Sequence, residues 1–105
     1  MTEGLSIAQA QQTVDQWIRS TAVGYFSPLT NMAVLAEEVG EVARIMARRY
    51  GDQVAKAGDA DNLAMELADV MWVVMALANQ CGIDLSEAFR MTLEKKNSRD
   101  AKRFG

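Results

Sequence analysis

Hydrophobic positions recur along this chain with the period of amphipathic helices, and four helical segments follow from that period and its flanking end signals. The spacing of Ile7, Ala10, Val14, Trp17 and Ile18 predicts a first helix from about Ser6 to Ala22. Ser6 and Gln9 form a capping-box pattern at its start. Gly24-Tyr25-Phe26 reads as a loop. Ser27-Pro28, an N-cap followed by proline at the first helical position, opens a second helix that continues to about Tyr50, where Gly51 stops it. Arg44, Arg48 and Arg49 suit the negative end of that helix. Residues 52–61 read as a polar loop around Gly58. A third helix is predicted from about Asp61 to Gln80, ending at Gly82. The fourth starts at Asp84, with Glu87 completing a second capping box, and reaches about Lys96 or a little beyond. No stretch sustains period-two alternation, so the fold class is all-α with no sheet.

The third helix is apolar nearly all round, which is unusual for an outer helix of a small monomer. Four helices in 105 residues also give a thin core. Both features lead us to expect a homo-oligomer. Leu63 to Cys81 is nearly long enough to span a bilayer, but it contains Glu66, Asp69, Asn79 and Gln80. Two acids inside a span would be costly, so we read it as a buried helix and expect no membrane partner. Met1-Thr2-Glu3-Gly4 carries acid where a secretory leader would carry base, and no leader is expected.

Composition narrows the chemistry. Length predicts one domain over residues 1–105, and half the residues are hydrophobic. Histidine is absent, which excludes a Ser-His-Asp triad, a Cys-His pair and any histidine-ligated metal or haem from this chain. Cys81 is the one cysteine, so no intrachain disulfide forms; a reducing, cytoplasmic location fits. A net charge of −3 argues against a nucleic-acid partner.

Acids concentrate on two helices. The second carries Glu37-Glu38-Val39-Gly40-Glu41 and the third Glu66-Leu67-Ala68-Asp69. Residues three apart share a helix face, so Glu38 lies with Glu41 and Glu66 with Asp69. Their neighbours are apolar, and unpaired buried carboxylates need cations, metals or protonation. The economical arrangement has both pairs facing each other around a metal ion. All-oxygen ligation suits Mg²⁺, with Mn²⁺ as substitute. Di-iron bundles need Glu-x-x-His, which is missing, and the segment 59–64 lacks the turn glycine of an EF-hand. The competing reading is a set of surface acids paired with basic residues elsewhere.

Six of the eleven basic residues fall in the last sixteen positions: Arg90, Lys95, Lys96, Arg99, Lys102 and Arg103. A divalent cation beside such a cluster is what a phosphorylated substrate requires. No glycine-rich phosphate loop is present. A solvated helix end favoured by the dipole is the plainer explanation.

Glu37-Glu38-x-x-Glu41, a gap of 24 residues, then Glu66-x-x-Asp69 resembles the EExxE…ExxD signature of the MazG-like, all-α nucleotide pyrophosphohydrolases. Lys95-Lys96-Asn97-Ser98-Arg99 resembles that family's basic motif, and residues 24–30 look like the short, single-domain YpjD-type members. The resemblance runs from about Gln11 to Phe104. It implies a four-helix bundle-like MazG fold, assembled as a homo-oligomer. It also implies Mg²⁺-dependent hydrolysis of nucleoside triphosphates to monophosphate and pyrophosphate. Through it, Glu38, Glu41, Glu66 and Asp69 match metal ligands and Glu37 a general base. Lys95 and Arg99 match phosphate-binding positions, with Asn97 as an added polar contact. The base pocket varies in the family, and Trp17, Tyr25, Phe26 and Met32 are the candidates for it here. A non-catalytic helical oligomer that senses nucleotide or metal, or a ligand-free scaffold, is the alternative. Basic residues of a neighbouring chain could also reach the site.

Overall fold

The computed structural model describes residues 4–51 and 62–104, with side chains to Arg99. Among these residues the chain forms four helices and no strand: α1 (Ile7–Ser20), α2 (Pro28–Tyr50), α3 (Leu63–Gln80) and α4 (Leu85–Phe104). The expected loop over 52–61, the start of the third helix at Asp61 and residues 1–3 lie outside the described residues.

Local chemistry accounts for the helix ends. Ser6 Oγ accepts from the Gln9 amide at 3.0 Å, while the Ser6 amide donates to Gln9 Oε1 at 2.8 Å, so the first capping box is complete. Ser27 Oγ accepts from the Thr30 amide at 3.2 Å, and Pro28 occupies the first helical position. α3 ends in a Schellman pattern: the Ile83 amide donates to Ala78 O and the Gly82 amide to Asn79 O. Gly82 sits at φ +68°, where a side chain would be strained. The second box forms only in half. Asp84 Oδ1 accepts from the Glu87 amide at 3.2 Å, but the Glu87 carboxylate turns to Arg90 instead.

Two expectations need adjusting. The first helix ends at Ser20, because Thr21 takes an extended conformation and its hydroxyl donates to Ile18 O. The fourth runs to Phe104 rather than to about Lys96. No glycine or proline interrupts it before Gly105, and Glu87, Arg90 and Glu94 pair along its exposed face.

α3 packs against both α2 and α1, and α4 lies chiefly against α1. Val14 and Ile18 of α1 meet Met75 and Ala76 of α3 in the core, with Ala10, Tyr25 and Leu85 around them. A polar clip fixes the turn between α3 and α4. Buried Gln11 donates to Ile83 O at 2.6 Å and accepts from the Leu85 amide at 3.1 Å. Asn79 Nδ2 donates to Gln11 O at 3.0 Å. α3 is long and apolar enough to cross a membrane by length and composition, but only 22% of it is buried within the chain. Its acids, Glu66 and Asp69, lie toward Glu38 of α2.

Candidate functional site

α2 and α3 run antiparallel: Asn31 meets Gln80 at one end, and Glu38 lies opposite Glu66 and Asp69 further along. Asn31, Val34 and Glu38 fall on one stripe of α2 by their i, i+3, i+7 spacing. Glu66 and Asp69 share a stripe of α3 in the same way. The result is a cluster in which one carboxylate oxygen each from Glu38, Glu66 and Asp69 lies within 4.8 Å of the others. Glu38 and Glu66 are half-buried and Asp69 is exposed. None of the three forms an ion pair with a described residue.

This crowding has an electrostatic cost. Burial pushes the Glu38 carboxyl above its ordinary range, and the negative charges of Asp69, Glu66 and Glu41 push it further in the same direction. A divalent cation held among the carboxylates would offset both. Three carboxylates on facing helices form an all-oxygen donor set that fits a hard ion.

Glu41 does not join the cluster. Its carboxylate is paired with Arg44 one turn further along α2. Glu37 is exposed and also stands outside the cluster. Lys95, Asn97 and Arg99 are exposed on α4, and none of their side chains forms a hydrogen bond or ion pair with a described residue. α4 lies chiefly on α1, and among the described residues no hydrogen bond or ion pair joins these three side chains to the carboxylates of α2 and α3.

Beside the cluster, toward the N-terminal end of α2, lies an apolar slot of about 320 Å³. Trp17, Tyr25 and Phe26, three of the four base-pocket candidates, line it together with Trp72, Val34, Asn31 and others. Met32 does not line it: one residue on from Asn31, it is rotated off the stripe and half exposed. Trp17 and Trp72 meet edge to face, with ring centroids 5.3 Å apart and planes at 82°. The loop that supplies Tyr25 and Phe26 is tied down. Tyr25 donates to Asp15 Oδ1 at 2.6 Å, and Gln80 Nε2 donates to Phe26 O at 2.5 Å. Burial and the Asp15 bond hold the Tyr25 hydroxyl above its ordinary range, so it stays a donor. Sequence reasoning missed Asn31 and Trp72. Their signal was positional, since Asn31 shares the stripe of Glu38 and Trp72 follows Asp69 by three residues.

The repulsion is testable without an ion. The raised Glu38 value means that the folded chain binds a proton there more readily than the unfolded chain. The charged carboxylate therefore costs stability above the raised value. That cost fades as the pH falls and is gone below the ordinary value of 4.5. In EDTA, Glu38→Gln should be more stable than the native chain near neutral pH, and the difference should close at about pH 4. Urea unfolding at the two pH values checks this. A Glu38→Gln chain less stable near neutral pH would show that the carboxylates do not repel.

Comparison with known proteins shows the family and the fold. Residues 26–104 match the model of the MazG nucleotide pyrophosphohydrolase domain. The chain is 43% identical over 95 residues to the uncharacterized protein YpjD of Bacillus subtilis (strain 168), covering 90% of this chain and 86% of that protein. It superposes on the crystal structure of Bacillus subtilis YpjD with a TM-score of 0.78 at 40% identity, covering 90% of this chain and 97% of that one. A Bacillus-conserved MazG protein, a nucleotide pyrophosphohydrolase, superposes with a TM-score of 0.75 at 36% identity, covering 90% and 91% of the two chains. An all-helical chain whose acids converge across α2 and α3 therefore belongs to the MazG nucleotide pyrophosphohydrolase domain family.

Proposed function

We propose that this chain is a metal-dependent nucleoside triphosphate pyrophosphohydrolase, acting as a single domain in the cytoplasm on noncanonical or excess nucleotides. The observation that carries the reading is the convergence of Glu38, Glu66 and Asp69 beside an aromatic slot. Family membership supports it. Water attacks the α-phosphorus, the bond to the bridging oxygen of the β-phosphate breaks, and monophosphate and pyrophosphate leave.

Glu38, Glu66 and Asp69 would hold Mg²⁺, or Mn²⁺ in its place, with Glu41 joining them if it leaves Arg44. Such an ion, when bound, neutralises phosphoryl oxygens and acidifies water. Glu37, next to the cluster and unpaired among the described residues, accepts the proton of the attacking water. Lys95 and Arg99, with Asn97 beside them, neutralise the departing pyrophosphate. Their place on α4 favours delivery from a second copy of the chain. Trp17, Tyr25 and Phe26 hold the base.

A homo-oligomer is part of the proposal. The chain has a radius of gyration of 17.1 Å, against about 13 Å for a compact domain of this length. No large side chain among the described residues is fully buried. Met71 and Phe89 remain 59% and 54% exposed in a groove between α3 and α4 that also holds Val70, Val74 and Leu85. Apolar exposure on this scale marks a contact surface.

Two experiments test these statements. Pyrophosphate release from a panel of nucleoside triphosphates should require Mg²⁺ or Mn²⁺ and stop in EDTA. Glu38→Gln and Asp69→Asn should each lower it by about a thousandfold or more while far-ultraviolet circular dichroism stays helical. Turnover close to native in either variant would remove the ligand assignment. Silence across the panel, with stabilisation by the ion retained, would point to a sensor. Separately, light scattering should give the native chain at least twice its sequence mass, and Phe89→Glu should reduce that mass. An unchanged mass would exclude this groove as the contact.

A further inference from the structure

The slot beside the carboxylates is largely apolar; its Thr21 and Tyr25 hydroxyls are engaged with Ile18 O and Asp15 Oδ1, and its one side-chain amide belongs to Asn31, which is 8% exposed. Its amide has a defined orientation. The Phe26 carbonyl can only accept a hydrogen bond, so the group of Gln80 that meets it at 2.5 Å must be the amide nitrogen. Gln80 therefore presents Oε1 to Asn31, at 2.8 Å, and the group that Asn31 offers in return must be its own nitrogen. The chain of two hydrogen bonds leaves Asn31 Oδ1 pointing away from Gln80. No described residue donates to that oxygen. Since no buried side-chain polar atom among the described residues lacks a partner, Oδ1 is open to solvent. The space that Asn31 borders is the slot. A polar atom in such a place calls for a hydrogen-bond donor on whatever fills it.

The distance to the carboxylates suits the same occupant. Asn31 and Glu38 are seven residues apart on one stripe of α2, about 10 Å along the helix. A ribose with its first phosphates spans such a gap, which places a base at Asn31 while its phosphates reach Glu38. Trp17, Trp72 and Phe26 offer faces for stacking. We propose that Asn31, oriented by Gln80 and the Phe26 carbonyl, is the specificity-determining residue of the slot, its Oδ1 accepting from the exocyclic amino group of a cytosine or adenine base. Uracil, thymine, guanine and hypoxanthine present a carbonyl oxygen at the corresponding position. That oxygen would face Oδ1 with no proton between them. The amide cannot turn over to welcome it without breaking its bond to Gln80. A free asparagine reads either kind of base by flipping, and the link to Gln80 removes that freedom.

This inference rests on the nucleotide reading of the site, and its test separates the two. Calorimetric titration with CMP against UMP, and with AMP against IMP, compares bases that differ at the amino or oxo position. In whichever pair binds more tightly, the amino member should be favoured by about tenfold, the scale of one hydrogen bond. Asn31→Leu should bring the ratio close to one. Should that variant fail to fold, Gln80→Leu leaves Asn31 in place but frees its amide, and the ratio should fall there too while both monophosphates still bind. Equal or reversed affinities in the native chain, or no binding of any of the four, would overturn the assignment. Pyrophosphate release from CTP, UTP, ATP and ITP distinguishes the failures. Turnover without base preference would overturn the role of Asn31 and leave the hydrolase. An amino preference in binding with no turnover would sustain Asn31 and overturn the hydrolase.

Discussion

Three carboxylates held on facing apolar helices demand a positive charge among them, and much of this structure follows from the helix pairing that creates the demand. The observed register places Glu38 opposite Glu66 and Asp69, with no described basic side chain paired to any of the three. Like charges at this spacing oppose folding unless something neutralises them. The Glu38 carboxyl records the conflict in its upward shift, led by burial and reinforced by its acidic neighbours. A chain stabilised only by its packing would have little use for such a cluster. One that gains a cation there recovers the cost and acquires a reactive centre.

The same register builds the rest of the site. Continuing along α2 from Glu38 toward its start, one reaches Val34 and then Asn31, while α3 contributes Trp72, Val73 and Ala76. The loop after α1 closes the slot through Tyr25 and Phe26, tied to Asp15 and Gln80. The carboxylate cluster and the slot thus share two helices. Lys95 and Arg99 of α4 form no ion pair with a described carboxylate, and α4 lies chiefly on α1. That separation, together with the groove exposing Met71 and Phe89, is the ground on which we propose assembly as part of the function.

Much of this was legible in the residues. Ser6 with Gln9, Ser27 with Pro28, and Gly82 mark helix ends because each satisfies backbone groups that a helix leaves open, and such bonds are local. The three-residue spacing of Glu66 and Asp69 and the apolar setting of Glu38 likewise announced a shared face. Glu41 obeys the same spacing yet pairs with Arg44, a cation one turn away on the same helix. Periodicity cannot decide that competition. Met32 and Asn31 differ by one position, and only the packing of α2 against α3 determines which enters the slot. The length of α4 was underestimated because Lys95 onward reads as a polar tail, although the chain carries no helix-breaking residue there.

The central claim is that Glu38, Glu66 and Asp69 hold a divalent cation. The most direct measurement is anomalous diffraction from crystals grown with Mn²⁺, collected near the manganese edge. The account predicts an anomalous peak within coordinating distance of oxygens from all three carboxylates. Crystals in saturating Mn²⁺ with no peak at this cluster, or with the carboxylates turned apart toward basic side chains, would contradict it.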